Sequence, residues 1–280
     1  MKSRYPLVVS GLFISVVLLI FAGTVSAMQN GFTPGCSLDA IKKKRPIDAQ
    51  CGPEGEGDAA NRKQNSAKNN LCASGTAIPI TISVFDDLQQ AAEEKEMPFG
   101  NQHIPHHVAL PEDRSVLKDL VQTGNGKVGE GSKTVFVAFI SRTKAGEPES
   151  VNCHVTKDAN NDIHIVLARR FADTDECSSV TAEMIPHFRP TAWDKIRLQT
   201  VMAKLGKHPA RITGQAFFDA SHSPCGHPEF RPSGDPKRRS LWEIHPIYAI
   251  DVCKNKTLAG CKIDKESVWT PFHEWVQHPQ

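Results

Sequence analysis

In this chain of 280 residues, acidic, imidazole and amide side chains recur two or three positions apart at four places. They are Asn152 with His154, Asp162 with His164, Asp219 with His222, and Glu243 with His245. A spacing of two puts both side chains on one face of an extended strand. Carboxylates and neutral imidazoles gathered on such a face would ligate a divalent metal, and the metal would lower the pKa of a bound water for attack on a phosphodiester. Arg239, just before the last of these pairs, would neutralise the developing phosphate charge. The catalytic candidates are therefore Asp162, His164, His222, Glu243, His245 and Arg239, and the metal candidates are His164, His245, Asp162 and Glu243. A ligand bound without catalysis would meet Asn152, His154, Asp162 and His164. A bare acid–base site is a further possibility. The plain alternative is a wet face of an antiparallel sheet, where such residues are ordinary and cross-strand pairs add only ~0.2–1 kcal/mol each.

Strands must carry these residues. Thr134 to Ser141 is a β-branched and aromatic run bounded by glycines. Val151 to Val155 reads as a second strand and Asp162 to Ala168 as a third, joined by the turn-forming Lys157-Asp-Ala-Asn-Asn161. Val180 to Ile185 continues the β pattern, Thr191 or Asp194 opens a helix that Gly206 ends, and Arg211 to Asp219 is a fourth strand. A proline- and glycine-rich loop, Ser221 to Arg239, leads to the last strand, Ser240 to Cys253. There Trp242, Ile244, Tyr248 and Ile250 recur with period two, leaving Glu243 and His245 on the other face. Pro246, lacking an N–H, predicts a bend or a strand end.

Three strands, a helix and two strands is the order of an oligonucleotide/oligosaccharide-binding (OB) barrel. The expected fold is thus mainly β with flanking helices, an α+β chain built on a five-stranded OB-like barrel. Asn152-Cys-His154, Asp162-Ile-His-Ile165, Gly214 to Asp219 with His222, and Leu241-Trp-Glu-Ile-His-Pro246 together resemble a set of uncharacterised exported bacterial proteins with this barrel order. The resemblance covers roughly residues 110–253, and it implies a fold without an activity.

The amino end is organised differently. Lys2 and Arg4 precede the apolar run Leu7 to Ala22 and the small-residue site Val25-Ser26-Ala27, the pattern of a secretory signal peptide over residues 1–27. An uncleaved membrane anchor is the rival reading, since a spanning helix needs roughly 20 apolar residues. Export to a periplasmic or extracellular compartment would make the eight cysteines structural disulfides by default. Three of them, Cys36, Cys51 and Cys72, lie in the leading region and five lie later. Full pairing therefore requires a bridge between the two regions, and Cys253 with Cys261 forms the natural local pair.

Residues 28–109 read as a cysteine-containing, loop-rich and partly helical region. It would hold the basic run Lys42 to Arg45, an extended piece from Ile78 to Val84, a helix from Leu88 to Glu96 capped by Asp86 or Asp87, and the cluster His103-Ile-Pro-His-His107. The barrel region, residues 110–255, would open with a helix from Pro111 to Gln122. Residues 256–280 form an aromatic tail, Trp269-Thr-Pro-Phe-His-Glu-Trp275, that would cover a barrel edge or mouth.

Several function classes are set aside. The 33 basic and 31 acidic residues become 31 of each once Lys2 and Arg4 are removed, so net charge gives no nucleic-acid signal. No Cys-x-x-Cys, Gly-x-Ser-x-Gly, glycine-rich phosphate loop or His-Glu-x-x-His is present, against zinc-ribbon, serine-hydrolase, nucleotide-hydrolase and zincin chemistry. A glycosidase would have Asp162, Asp219 and Glu243 only by elimination. The expectation is an exported OB-like binding module for an oligosaccharide, a nucleic acid or an envelope component. The rivals are a metal-dependent, phosphodiesterase-like hydrolase and a structural envelope protein.

Overall fold

The computed structural model describes residues 45–71, 73–100, 110–187, 189 and 205–277. The signal segment, Lys42 to Lys44, Cys36, Cys72, His103 to His107, Trp193 and the helix expected between Thr191 and residue 204 lie outside this set. In chain order the elements are α1 (Ala59–Lys68), β1 (Ile78–Ile80), α2 (Ile82–Glu94), β2 (Val121–Thr123), β3 (Gly126–Val128), β4 (Lys133–Ala145), β5 (Ile163–Ala168), β6 (Val180–Met184), β7 (Ala210–Phe218), β8 (Trp242–Cys253), β9 (Trp269–Pro271) and α3 (Phe272–Trp275).

Strands β4 to β8 close into a five-stranded barrel. Neighbours run β4, β5, β6, β8, β7, and β7 pairs back onto β4. Within the barrel only the β6–β8 contact is parallel. This connectivity is that of an OB barrel. Period-two alternation fills its interior with Phe136, Ala138 and Ile140 from β4, Ile165 and Leu167 from β5, Ala182 from β6, Ile212 and Phe218 from β7, and Trp242 and Ile244 from β8.

The alternation in β8 breaks at Pro246. Gly214 pairs with Ile247 and Ala216 with Ile244, so three residues of β8 span two of β7. One inserted residue reverses which face the next side chains meet, until a second shift, from Gly214–Ile247 to Thr213–Ala249, returns Ile250 to the core. Ile247 therefore enters the core, and Tyr248, expected there, is half-buried outside it, its hydroxyl donating to the Asn70 carbonyl over 2.9 Å. A Cβ on Gly214 would stand 2.4 Å from Ile244 Cγ2 and 2.5 Å from the Pro246 carbonyl oxygen, so only glycine fits beneath the bend.

Three expected elements are corrected. Val151 to Val155 is no strand: residues 150–152 form a 3-10 turn, and Cys153 and His154 follow with φ of 49° and 51°. Five residues held by the Cys51–Cys153 bridge and by the His154 N–H donating to the Glu149 carbonyl find no ladder partner, so β5 is the second barrel strand and β6 the third. Pro111 to Gln122 is no helix. Ser115–Leu117 makes only a 3-10 turn, and Val121–Thr123 pairs with Gly126–Val128 across the two-residue connection Gly124-Asn125, so the end of the expected helix is spent on a hairpin. Helix α2 starts at Ile82, six residues earlier than expected, because Ile82, Phe85, Leu88 and Ala92 form one buried stripe along it.

Other expectations hold. Cys51–Cys153 joins the leading and later regions, Cys253–Cys261 is the local pair, and Cys177–Cys225 ties β6's approach to the 221–239 loop. In the tail, β9 pairs with β8, and Phe272 and Trp275 bury their rings in the core. No helix among the described residues is long and apolar enough to cross a membrane.

Candidate metal centre on the outer face of the barrel

The polar residues converge outside the barrel, on the sheet formed by β5, β6 and β8. Cross-strand register aligns His164 with Glu183 and Ala182 with Ile244. With Ile165, Ala182 and Ile244 pointing inward, His164, Glu183, Glu243 and His245 all point outward. Asp162 stands just before β5. Phe217 of β7 packs edge-on against His245, its ring centroid 5.4 Å away, but most of the cover over this face is polar. The 3-10 turn at 150–152, the loop 221–239 and α1 lie over it as a roof.

Helix α1 shows how a polar segment is buried. Asp58 caps it by accepting from the Asn61 N–H at 2.9 Å. Its Gln64, Asn65 and Lys68 side chains are buried, and each finds polar partners. Asn65 Nδ2 donates to the Glu54 and Glu56 carbonyls at 3.1 Å each, and Gln64 Oε1 accepts from the Ala220 N–H at 3.1 Å. Lys68 Nζ meets Glu149 Oε2 at 3.0 Å. Within a leading region expected to be loop-rich, this polar segment is a helix ordered by hydrogen bonds to buried and partly buried partners as well as by the nearby Cys51–Cys153 bridge.

At the centre, His245 Nδ1 lies 3.2 Å from Glu183 Oε2 and 3.2 Å from Glu243 Oε1, while its Nε2 lies 3.9 Å from Asp162 Oδ2. His164 Nε2 is 3.6 Å from Glu183 Oε1 and 3.9 Å from Glu149 Oε1. One ligand atom each from Asp162, Glu183 and His245 fall within 4.8 Å of one another, and all three residues are buried, the most exposed at 2%. To one side, Arg238 Nη1 donates to Glu243 Oε2 at 2.8 Å and to Asp219 Oδ2 at 2.9 Å, and His222 Nδ1 bonds the same Asp219 oxygen.

Opposed effects set the protonation of these groups. Burial alone would depress His245, but Glu183 and Glu243 outweigh it and push it up to about 10. Burial opposes charge on His164 too, yet the carboxylates of Glu183, Glu149 and Asp162 raise it. Burial works to raise Glu183, but His164, Lys68 and His245 hold it well below the usual range; Asp219 is held down against burial in the same way by His222 and Lys68. Asp162 is raised, chiefly by burial, and so is Glu243, with the charge of Glu183 adding to the effect.

The remaining sequence candidates divide. Asn152 reaches the centre from the roof, its Nδ2 3.5 Å from Asp162 Oδ1. His222 and Glu243 belong to the Arg238 side. His154 is exposed on its left-handed turn and takes no part. Arg239 does not reach the cluster: its guanidinium pairs with Asp86 of α2 at 2.7 and 2.8 Å, and its neighbour Arg238 enters instead. Sequence reasoning missed Glu183, whose parity opposite Val180, Ala182 and Met184 was a usable signal. It also missed Lys68 and Glu149, which carry none.

An open cleft of about 240 Å³ beside β8 and α3, lined by Met184, Ile247, Phe272 and others, shares no residue with the cluster. Comparison of the chain with protein-family models, with curated proteins and with solved structures gives no match.

Proposed function

We propose that this protein is an exported OB-like binding module whose resident ligand is a divalent cation, held by Asp162, Glu183 and His245. One observation carries the reading. Of the twelve buried side-chain atoms without a hydrogen-bond partner among the described residues, Asn152 Oδ1, Asp162 Oδ2, His164 Nε2 and His245 Nε2 belong to this one cluster. Orphaned polar atoms inside a protein cost ~1–3 kcal/mol each, and a cation at their centre would satisfy several at once. Two carboxylates and an imidazole suit zinc or manganese. The cation would displace the protons that the carboxylates now hold on the imidazole.

The cluster occupies the face of the second and third barrel strands, where OB barrels usually take ligands; this part of the reading is analogy. The roof of α1 and the two loops lies across that face, which favours a small ion over an oligosaccharide or nucleic acid strand. Export is supported by the apolar run after Lys2 and Arg4 and by the three disulfides.

A second reading, metal-dependent hydrolysis, draws on His222. Its side chain is 21% exposed and its Nδ1 is bonded to the buried Asp219, the disposition of a general base oriented by a carboxylate. A bound cation would supply a ligated water of lowered pKa.

The test is metal analysis of protein purified without chelator from a disulfide-forming compartment, followed by titration with zinc and manganese. About one equivalent is expected, lost in Glu183→Gln and His245→Ala. Wild-type protein that takes up neither metal overturns the reading. Phosphodiester hydrolysis by the loaded protein, abolished in His222→Ala, would favour the second reading.

A further inference from the structure

We propose that Asn152 is a further ligand of this centre and that the cation clasps the roof to the barrel. The inference rests on the metal-binding reading above. Asp162, Glu183 and His245 all come from the barrel strands or the residue just before them. Asn152 does not. It lies on the turn that the Cys51–Cys153 bridge ties to the leading segment, and it is 1% exposed.

Its amide is poorly used as it stands. Nδ2 lies 3.5 Å from Asp162 Oδ1, the long limit of a hydrogen bond, and Oδ1 has no partner. A half-turn of the amide exchanges the two atoms, an assignment that heavy-atom positions alone do not fix. That half-turn would set the oxygen beside the Asp162 carboxylate. Two oxygens there would repel each other unless a cation lay between them, and amide carbonyls ligate hard and borderline cations well.

The backbone holds Asn152 in place. Cys153 and His154, the next two residues, both take left-handed φ values of 49° and 51°. A non-glycine residue is strained there and persists only where surrounding structure enforces it. The enforcing contacts are at hand: the bridge to Cys51, the His154 N–H donating to the Glu149 carbonyl at 2.9 Å, and Ser150 Oγ donating to Asn65 Oδ1 of α1 at 3.3 Å. A cation bound to both Asn152 and the strands would therefore join α1, the turn and the barrel through one ion.

Two measurements test this. Manganese and zinc affinities are compared for the wild type, Asn152→Ala and Asn152→Asp. The alanine variant should bind about tenfold or more weakly, and the aspartate variant, which restores an oxygen ligand, should recover the affinity. Hydrogen exchange on the wild type, which needs no variant to fold, should slow at residues 149–154 and 59–71 when manganese is added. If the wild type binds metal but Asn152→Ala binds within twofold of it, or exchange at 149–154 is unchanged, this inference is overturned and the three-ligand centre stands. If the wild type binds no metal, the reading it rests on falls first.

Discussion

Glu183 on β6 lies between two histidines, with one oxygen 3.6 Å from His164 Nε2 and the other 3.2 Å from His245 Nδ1. Its charge raises both imidazoles, and theirs lower it in return. No other carboxylate in the cluster lies so close to both. Replacing it by glutamine leaves the shape and removes the charge, so breaking the buried pairs should cost about 3 kcal/mol at neutral pH. Urea unfolding of metal-free Glu183→Gln measures this, and a loss under 1 kcal/mol would mean that the two histidines do not depend on Glu183.

Asp219 gives the pH prediction. Its folded pKa is held below the ordinary value of 3.8, with His222 and Arg238 favouring the charged form. A depressed carboxylate contributes stability that is present above its unfolded pKa and lost as pH falls through the folded one. Wild-type stability should therefore decline below about pH 4, and the Asp219→Asn variant should lack that part of the decline while being about 3 kcal/mol less stable at pH 7. Parallel acid profiles for the two proteins would contradict this.

Arg238 and Arg239 are neighbours with opposite fates. Arg238→Ala removes the guanidinium shared by two buried carboxylates, leaving Asp219 only His222 and Glu243 only His245 as charged neighbours among the pairs above, and should cost about 3 kcal/mol. Arg239→Ala removes a partly exposed pair with Asp86, whose side chain is 44% exposed, and should cost ~1 kcal/mol or less. Thermal unfolding of both variants orders them. Equal losses would show that Arg239 does more than its contact with α2.

At Gly214 an added methyl would overlap Ile244 Cγ2 and the Pro246 carbonyl oxygen. The cost of overpacking is typically ~1–3 kcal/mol. Gly214→Ala should lose that much on chemical denaturation and shift His245, one residue before the bend, away from its partners. An unchanged midpoint would show that the bend relaxes freely.

The Cys51–Cys153 bridge closes a separation of 102 residues. On chain-entropy grounds a loop of that length is worth about 4.7 kcal/mol. The Cys51→Ala/Cys153→Ala pair should be destabilised toward that figure and exchange amide hydrogens faster in α1 than in the barrel. Uniform exchange would mean that the roof is not separately held.

The residues themselves determined the strands β4, β5, β6, β7 and β8, because β-branched runs and alternation of apolar with polar side chains are local signals. They also determined that Glu243 and His245 oppose Trp242 and Ile244, and that some cysteine must bridge the leading and later regions, which follows from parity. The local bend at Pro246 was legible too, but its effect on Tyr248 and Ile247 was not, since an inserted residue changes facing only once a partner strand fixes the register.

Only the tertiary structure decided which polar residues meet. Glu183 joins the centre because β6 lies between β5 and β8, an order that depends on barrel closure. Arg238 takes the place assigned to Arg239 because an irregular loop, having no period, reveals no face. Asn152 comes from a turn that a disulfide and backbone hydrogen bonds hold, and Lys68 from a helix that no apolar stripe marks. Those contacts depend on partners roughly 80 to 100 residues away in sequence, where local patterns carry no information.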